Sequence, residues 1–263
     1  MDAIRSRANQ QLKLARRVRD GREAGLIFVE GERLVRECLD TGLKPNALLY
    51  LSSATQRFGR LLSRARERGA TALETEEKVF AALGDTVSSQ GIILIAQRPS
   101  WTLEHVLDDN SHHRPLVVVL DGVQDPGNLG TIVRTAEAAG AGGVIALPGC
   151  ADPFAPKTLR AAMGSAFRLP VISGISLDSV ITECQGKITN LIGTAGGGAL
   201  VYTEVNWRTP TMVFFGSEAS GLSPEVLAQC TSIVRIPLQR PVESLNVASA
   251  AAIILFEAAK QRR

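Results

Sequence analysis

The stretch PLVVVLDGVQDPGNLGTIVRTAEAAG, Pro115 to Gly140, contains a strand, a turn and a helix in direct succession. Its first part is a continuous apolar run, which is typical of a strand buried on both faces of a parallel sheet. After the turn, apolar residues recur at helical spacing and form one stripe: Leu129, Ile132, Val133 and Ala136. The stretch predicts a βα unit whose turn lies at the carboxyl end of the strand, where open parallel sheets bind ligands.

The same order of strand and helix continues along the C-terminal part of the chain. Four more compact apolar runs alternate with helical segments: GGVIALPG (142–149), ITNLIGTAG (188–196), TMVFFGSE (211–218) and SIVRIPLQ (232–239). Continuous apolar strands separated by helices indicate a parallel sheet covered on both faces. We therefore expect an α/β fold for residues 115–263.

A smaller α/β unit precedes this region. The short strand candidates GLIFVEG, NALLYLS, ATALETE and GIILIAQ lie before residue 100, together with helical stretches at Gly31–Leu39 and Thr55–Arg68. The segment that follows gathers Pro, Ser, Asp, Asn and His without a sustained period, which is typical of a linker. We predict two domains, residues 1–98 and 115–263, joined by a linker over 99–114.

The formal net charge of +3 is unevenly distributed along the chain. The opening segment carries a cluster of cations: Arg5, Arg7, Lys13, Arg16, Arg17, Arg19 and Arg22. Phosphate contacts supply most of the sequence-independent affinity for nucleic acid, so this run is consistent with an RNA-binding arm. It is equally consistent with a solvated helix face, and the sequence leaves both interpretations open.

Several function classes are disfavoured by the composition. No apolar run approaches the roughly 20 residues that cross a bilayer, and the start MDAIRSRANQ lacks the apolar middle of a signal peptide, so we expect a cytoplasmic protein without membrane contact. The cysteines form no CxxC pair, which predicts reduced core thiols and neither a metal site nor disulfides: Cys38, Cys150, Cys184 and Cys230. Neither a Gly-x-Gly-rich turn after the first strand nor a Walker A sequence is present, which argues against nicotinamide enzymes, Rossmann methyltransferases and nucleotide hydrolases.

The turn after the first quoted strand has an unusual composition. Asn128 is a favourable N-cap, and Arg134 lies off the apolar stripe of the helix. Helical side chains lean toward the N-terminus, so Arg134 is expected to reach over Gly130 toward the helix start and create an anion-attracting site. The alternative is a capped surface helix with one solvated arginine.

Three later strands end in segments of similar character. GTAGGGA (193–199) is glycine-rich and is also compatible with a flexible turn. GSEASGLSPE (216–225) places Glu218 between two glycines, and Ser223 and Pro224 are typical of the cap and first residue of a helix. In VESLNVASAAA (242–252), Ser244 is predicted as the N-cap and Asn246 lies in the first turn.

Together these segments resemble the three motifs of the SpoU, or TrmH-type, branch of the SPOUT RNA 2′-O-ribose methyltransferases. NLGTIVRTAEAAG resembles the first motif, FFGSEASGL the second and IPLQRPVESLNVASAAAI the third. Residues 1–98 are similar to the L30e-like substrate-binding domain of this branch. The resemblance implies a C-terminal trefoil knot in the parallel-sheet domain and a homodimer.

The same resemblance implies S-adenosyl-L-methionine as the methyl donor and no metal. The implied donor-binding positions are Thr194, Gly216, Ile236 and Leu245. The implied reaction is methylation of a ribose 2′-hydroxyl in structured RNA, with rRNA preferred over tRNA. A non-catalytic RNA-binding or ribosome-assembly protein that keeps the fold is the rival hypothesis.

The implied catalytic group comprises five residues: Asn128, Arg134, Glu218, Ser244 and Asn246. A guanidinium with a pKa above about 12 is a poor base, so we interpret Arg134 as a clamp on the phosphate beside the target ribose. A phosphate oxygen or water then accepts the proton. We interpret Glu218 as orienting loop amides, with a general-base role as the alternative.

The chain departs from the family pattern at three positions. Leu238 replaces a frequent methionine, Arg240 replaces a usual glycine and Ala162 replaces a frequent serine. Other polar and aromatic candidates are better explained by structure than by chemistry. We interpret His105, His112 and His113 as solvated, and Asp121 and Asp125 as caps of backbone N–H groups. We interpret Lys157, Arg160 and Arg168 as surface charges and Trp101 and Trp207 as buried.

Overall fold

The computed structural model describes residues 9–84, 89–107 and 115–263. They form two compact units. The first comprises the described residues up to Ser100 together with Phe154–Arg168, and the second comprises Trp101–Pro153 and Leu169–Arg263. The domain boundaries and the linker that we expect from the sequence stay a prediction, and residues 108–114 of that linker lie outside the described residues.

The first unit is built around a mixed four-stranded sheet in the order β1-β4-β2-β3. Its elements before Ser100 are α1 (Gln10–Arg19), β1 (Leu26–Glu30), α2 (Glu32–Asp40), β2 (Pro45–Leu51), α3 (Thr55–Glu67), β3 (Thr71–Thr75), α4 (Glu77–Ala81) and β4 (Ile92–Gln97). The strand β4 runs antiparallel to β1 and β2, and β3 runs parallel to β2. Leu12, Ala15 and Val18 recur on one face of α1 and are buried in the core of this unit.

The second unit contains a seven-stranded sheet in the order β7-β6-β5-β10-β8-β11-β9. The remaining elements are α5 (Leu103–Leu107), β5 (Leu116–Asp121), α6 (Pro126–Ala138), β6 (Gly143–Ala146), α7 (Pro156–Ala162), β7 (Val171–Ser173), α8 (Leu177–Cys184), β8 (Asn190–Thr194), β9 (Leu200–Val201), β10 (Thr211–Gly216), α9 (Pro224–Gln229), β11 (Ser232–Arg235) and α10 (Val247–Arg262). All neighbouring strands in this sheet are parallel, which confirms the predicted parallel sheet. The short edge strands β7 and β9 are only partly buried, and their weak apolar pattern did not predict them.

The helix α7 packs within the first unit, although it lies between two strands of the second unit in sequence. The guanidinium of Arg98 stacks over the ring of Phe154 at 4.4 Å, and Arg168 forms an ion pair with Glu37. These contacts hold the segment Phe154–Arg168 against the β1 and α2 region. None of the described helices is long and apolar enough to cross a membrane.

Candidate active site

A cavity of about 440 Å³ opens at the carboxyl ends of β8, β10 and β11. Its walls are formed by Thr194, Ala195, Gly196, Phe215, Gly216, Ser217, Glu218, Gly221, Val234, Ile236, Leu238, Glu243, Ser244, Leu245, Asn246, Val247, Ala250 and Ile254. All four positions that the resemblance implies for donor binding lie in this lining. The volume is within the range of about 300–1,000 Å³ that small-molecule sites occupy.

Three side chains from different motifs form a continuous hydrogen-bonded chain at this cavity. Asn246 Nδ2 donates to Asn128 Oδ1 at 2.9 Å, and Asn128 Nδ2 donates to Glu218 Oε1. Both oxygens and both nitrogens of the two amides therefore have defined roles, because Asn246 Oδ1 accepts from the backbone of α10. The arrangement fixes the orientation of the Glu218 carboxylate relative to α6 and α10.

Two predicted helix caps are wrong, and the residues that cap the helices instead explain why Asn128 and Asn246 can form these hydrogen bonds. The N-cap of α6 is Asp125, whose Oδ1 accepts from the Asn128 backbone N–H at 2.8 Å, and Pro126 occupies the first helical turn. The N-cap of α10 is Asn246 rather than Ser244, with Oδ1 accepting from the backbone N–H of Ala248 at 2.9 Å. Asn128 is released from capping, so its amide is available to bridge the other two motifs.

The loop after β10 is fastened to the end of β5. Asp121 Oδ2 accepts from the backbone N–H of Ser223 at 2.7 Å, and Ser223 caps α9 as predicted. Within the loop, the backbones of Ser217 and Gly221 exchange hydrogen bonds of 3.0 and 2.9 Å. Asp121 and Asp125 therefore both accept from backbone N–H groups, as the capping interpretation expects.

Gly216 is required by the backbone of its own loop. A Cβ atom on this residue would lie 2.1 Å from the carbonyl carbon of Gly221 and 2.3 Å from the backbone nitrogen of Leu222. The missing side chain makes room for the returning chain, so the geometry of the loop itself requires a glycine at this position. Thr194 also has a structural contact, since its Oγ1 donates to Phe214 O at 2.8 Å.

Arg134 is not brought to this cavity within one chain. It lies six residues after Asn128, which corresponds to about 9 Å along the helix and about 240° around it. Its side chain is exposed and forms no hydrogen bond or ion pair with the residues that the structure describes. The four apolar residues of the predicted stripe are fully buried on the other side of α6.

Ser244 and Glu243 contribute the least constrained polar groups of the cavity wall. Both side chains are exposed and line the cavity, and neither forms a hydrogen bond with a described residue. Our sequence interpretation missed Glu243, although the quoted motif VESLN contains it. Together with Glu218 it places two carboxylates at the cavity, which favours a ligand with positive charge.

The remaining candidates have structural roles. Trp207 is fully buried and donates from Nε1 to Tyr202 O at 2.8 Å, as burial predicts. Exposed His105 contacts Thr102 Oγ1 at 2.6 Å and packs edge-on against Trp101, while His112 and His113 lie outside the described residues. Arg168 is engaged by Glu37, so it does not extend a free cationic track.

The departures from the family pattern are accommodated without backbone strain. The residue Arg240 is exposed, and Met163 is the non-glycine residue with positive φ among those described. The side chain of Leu238 lines the cavity in place of methionine. The residue Ala162 is fully buried, so this position does not present a side chain to a substrate.

Of the four cysteines, which are free thiols in the structure, Cys38 and Cys184 are buried as predicted, whereas Cys150 and Cys230 are only partly buried. Burial raises the pKa of Cys38 to about 12 and the pKa of Cys230 to about 11. Neither lines the cavity, so neither is a candidate nucleophile. The part of the chain that the structure describes contains no group of three or more His, Cys, Asp or Glu residues arranged to hold a metal ion.

Comparison with known families agrees with the three motifs. Residues 115–256, more than half of the chain, match the SpoU rRNA Methylase family. The chain belongs to this family. Residues 7–94 match the MRM3-like substrate binding domain, so the SpoU protein carries a substrate-binding region before its methylase region.

Several relatives match this protein over nearly its whole length. The 23S rRNA (guanosine(2553)-2′-O)-methyltransferase RlmP of Bacillus subtilis is 32% identical over 97% of this chain and 98% of that protein. The AdoMet-bound rRNA methyltransferase of Sinorhizobium meliloti superimposes with a TM-score of 0.86 at 30% identity, covering 98% and 97% of the two chains. The SpoU methyltransferase AviRb of Streptomyces viridochromogenes, solved with AdoMet, has a TM-score of 0.84 at 29% identity, with coverage of 97% and 98%.

Proposed function

We propose that this protein transfers a methyl group from S-adenosylmethionine to a ribose 2′-hydroxyl of structured rRNA. The observation that carries the proposal is the hydrogen-bonded chain Asn246–Asn128–Glu218 beside a cavity that contains every implied donor-binding position. The full-length match to a 23S rRNA 2′-O-methyltransferase supports the reaction and the RNA class. Because rRNA is the target of that relative, we also propose that the protein acts in the cytoplasm.

The residues around the cavity fit the donor. The apolar side chains of Phe215, Ile236 and Leu238 suit the adenine ring, and the carboxylates of Glu218 and Glu243 suit a cation. When bound, S-adenosylmethionine supplies a methyl group on a positively charged sulfur, so the protein needs no further activation of the leaving group. Solved relatives that bind AdoMet support this assignment.

The side chains of the motifs then position the acceptor. Asn128 and Asn246 hold the Glu218 carboxylate in one orientation, which we assign to ordering the second-motif loop rather than to accepting the proton. The hydroxyl of Ser244 is free to contact the target ribose. Arg134 binds the adjacent phosphate with its guanidinium, and a phosphate oxygen or water takes the proton late in the transfer.

The position of Arg134 supports a homodimer in which it serves the partner's cavity. Arg134 is exposed and is not among the residues that line the cavity of its own chain. The helix α10 packs on α6 and exposes a stripe of spacing i, i+3 that includes Ile253 (37% exposed) and Phe256 (47% exposed). A second copy of the chain that covers this stripe would bring α6 of one protomer near the active site of the other.

The fold proposal includes a trefoil knot in the C-terminal region. The segment that follows β11 enters α10 through Asn246, and Asn246 is bonded back to Asn128 near the start of the sheet unit. The segments after β8, β10 and β11 all line one cavity. This close gathering of three loops supports the threading that the family resemblance implies.

The test of the proposed function is a map of 2′-O-methyl groups in total RNA from cells with and without this protein. We expect one rRNA ribose to lose its methyl group, and the purified protein with S-adenosylmethionine to restore it. A change confined to tRNA would replace the rRNA assignment. No S-adenosylmethionine binding by calorimetry would favour a non-catalytic RNA-binding protein.

Subunit mixing tests the dimeric site. We expect Arg134→Ala and Asn246→Ala to be inactive alone and to regain activity when they are mixed into heterodimers. One cavity of such a heterodimer has an intact Asn246 and receives Arg134 from the other protomer. No recovery in verified heterodimers would place Arg134 in its own chain's site.

A further inference from the structure

The last residue of β11 forms a bridge to the glycine-rich segment GTAGGGA. Arg235 Nη1 donates to Gly198 O at 2.6 Å and to Ala199 O at 2.8 Å. Hydrogen bonds from a charged donor are shorter and stronger than those between neutral groups. The glycine-rich segment is therefore fastened to β11 by a side chain that the motif resemblance does not use.

The fastened segment forms one wall of the donor cavity. Ala195 and Gly196 line the cavity, and Ala195 N donates to Val234 O at 3.0 Å. A Cβ atom on Gly198 would lie 2.5 Å from the carbonyl carbon of Val234, so this segment presses directly against β11. The flexible-turn interpretation of the glycines is replaced by a loop with defined contacts.

The residues after Arg235 form another part of the wall. Ile236 and Leu238 line the same cavity. A second cavity of about 890 Å³ adjoins it, and the two share Gly196, Ile236, Leu238 and Glu243 as walls. Release of the glycine-rich segment from β11 would let the donor cavity open into this larger space.

We propose that Arg235 is a positioning residue that sets the width of the donor cavity. It does so by holding the Ala195–Gly196 wall at a fixed distance from the Ile236–Leu238 wall. The inference rests on the proposed function, because it takes the cavity of about 440 Å³ as the donor site. It adds a role for a residue outside the nine positions that the resemblance implies.

Calorimetric titration with S-adenosylmethionine tests the role without relying on turnover. We expect Arg235→Met to raise the Kd for S-adenosylmethionine about tenfold or more, because two charge-assisted hydrogen bonds are lost. Arg235→Lys keeps a charged donor and should recover part of the affinity. The matched control is Lys187→Met, which removes one exposed charge from the same unit and should leave the Kd within about twofold of the wild type.

A glycine pair perturbs the same loop by an independent route. Gly198→Ala forces the loop away from Val234 and should also raise the Kd for S-adenosylmethionine. Gly197→Ala is the control, since a Cβ atom there would meet nothing within 4 Å. If Arg235→Met does not fold, this pair tests whether donor affinity depends on how the segment lies against β11, and Arg235→Lys tests the side chain itself.

Measurements on Arg235→Met test the role of Arg235, and measurements on the wild-type protein test the proposed function. A folded Arg235→Met protein that binds S-adenosylmethionine within twofold of the wild type overturns the positioning role of Arg235. If Arg235→Met lowers RNA affinity and the melting temperature together with donor affinity, the positioning role is also overturned, because such a combined loss indicates general unfolding. A wild-type protein that binds no S-adenosylmethionine contradicts the proposed function itself.

Discussion

Asn246 Nδ2 donates a hydrogen bond of 2.9 Å to Asn128 Oδ1 across 118 positions of sequence. The same Asn246 side chain caps α10 through its Oδ1 atom. Its amide cannot flip without losing both interactions, so the start of α10 determines how Asn128 is oriented. Asn128 then directs its Nδ2 to Glu218, and the three motifs act as one unit.

Asn246→Asp separates the helix cap from the motif bridge. Asp is about as good an N-cap as Asn, so the free energy of unfolding should fall only by the loss of the hydrogen bond to Asn128, about 0.5–1.5 kcal/mol. The new carboxylate cannot donate to Asn128 Oδ1, so methyl transfer should fall about tenfold to hundredfold. Chemical denaturation and single-turnover methylation measure the two effects. Full activity in Asn246→Asp would remove the bridge from the mechanism.

Arg134→Ala should abolish methyl transfer while donor binding is kept. The guanidinium is outside the cavity lining, so the Kd for S-adenosylmethionine should stay within about twofold, whereas turnover should fall at least about hundredfold. Arg134→Lys retains charge without the planar fork and should be intermediate. Calorimetry and a methylation assay are the measurements, and unchanged turnover in Arg134→Ala would refute the clamp.

Two glycine substitutions should have opposite effects on stability. Gly59→Ala, on the exposed face of α3 with nothing within 4 Å of the new Cβ, should stabilise the protein by about 0.5–1 kcal/mol. Gly216→Ala should lower the melting temperature and donor affinity, because its Cβ would overlap the backbone of Gly221. Thermal unfolding with and without S-adenosylmethionine measures both. A Gly216→Ala protein with the melting temperature and donor affinity of the wild type would show that the second-motif loop adapts easily.

Stability should decrease in alkali partly through Cys38. Burial raises the pKa of Cys38 from the ordinary 9.0 to about 12, an effect that the charge of Arg68 opposes. Between these values the unfolded chain has lost the thiol proton and the folded chain has kept it. The free energy of unfolding should therefore fall as pH rises above 9, by at most about 1.4 kcal/mol per pH unit for this thiol. Denaturant unfolding should show a shallower decline in Cys38→Ala, and equal slopes would contradict the prediction.

Some basic side chains of the N-terminal segment form contacts within the protein, and others are exposed to solvent. Arg19 donates to Ala82 O and Leu83 O, and Arg17 pairs with Glu23 at 2.6 Å. Lys13 and Arg22 are exposed and form no ion pair with described residues, whereas Arg5 and Arg7 lie outside them. The helix α1 thus buries one face, and Lys13 on this helix and Arg22 after it remain exposed.

Substitution of Lys13 and Arg22 by alanine tests the RNA-binding arm. Loss of two phosphate contacts should reduce the salt dependence of log Kd for RNA by about 1.4 to 1.8. Arg19→Ala is the control, since it should mainly lower stability by releasing α1 from the Ala82–Leu83 segment. Filter binding over a range of salt concentrations gives the slope, and an unchanged slope would assign these cations to a solvated face.

Much of the fold was predictable because burial leaves a periodic record in the sequence. The apolar runs that became β5, β10 and β11 showed the parallel sheet, and the Ser223–Pro224 pair showed the start of α9. The motif resemblance implied five catalytic residues, of which Glu218, Ser244 and Asn246 line the cavity, whereas Asn128 and Arg134 do not. The strands and the helix start follow from local patterns, which neighbouring residues in the chain determine, whereas the site residues followed only from the family resemblance.

Local patterns could not predict which residue caps α6, nor which groups Arg235 contacts. Asp125 and Asn128 are both good caps, and Pro126 favours the earlier start, but only the packing of α10 beside α6 gives the Asn128 amide its other partners. Likewise, glycines at 196–198 are compatible with either a mobile or a fastened loop until β11 is seen beside them.

By itself the sequence determined the strands, the helices and the chemical groups available, because these follow from local propensity and periodicity. Only the tertiary structure decided which groups meet, because hydrogen bonds between residues 37 to 118 positions apart depend on how the sheet and its helices bring their ends together.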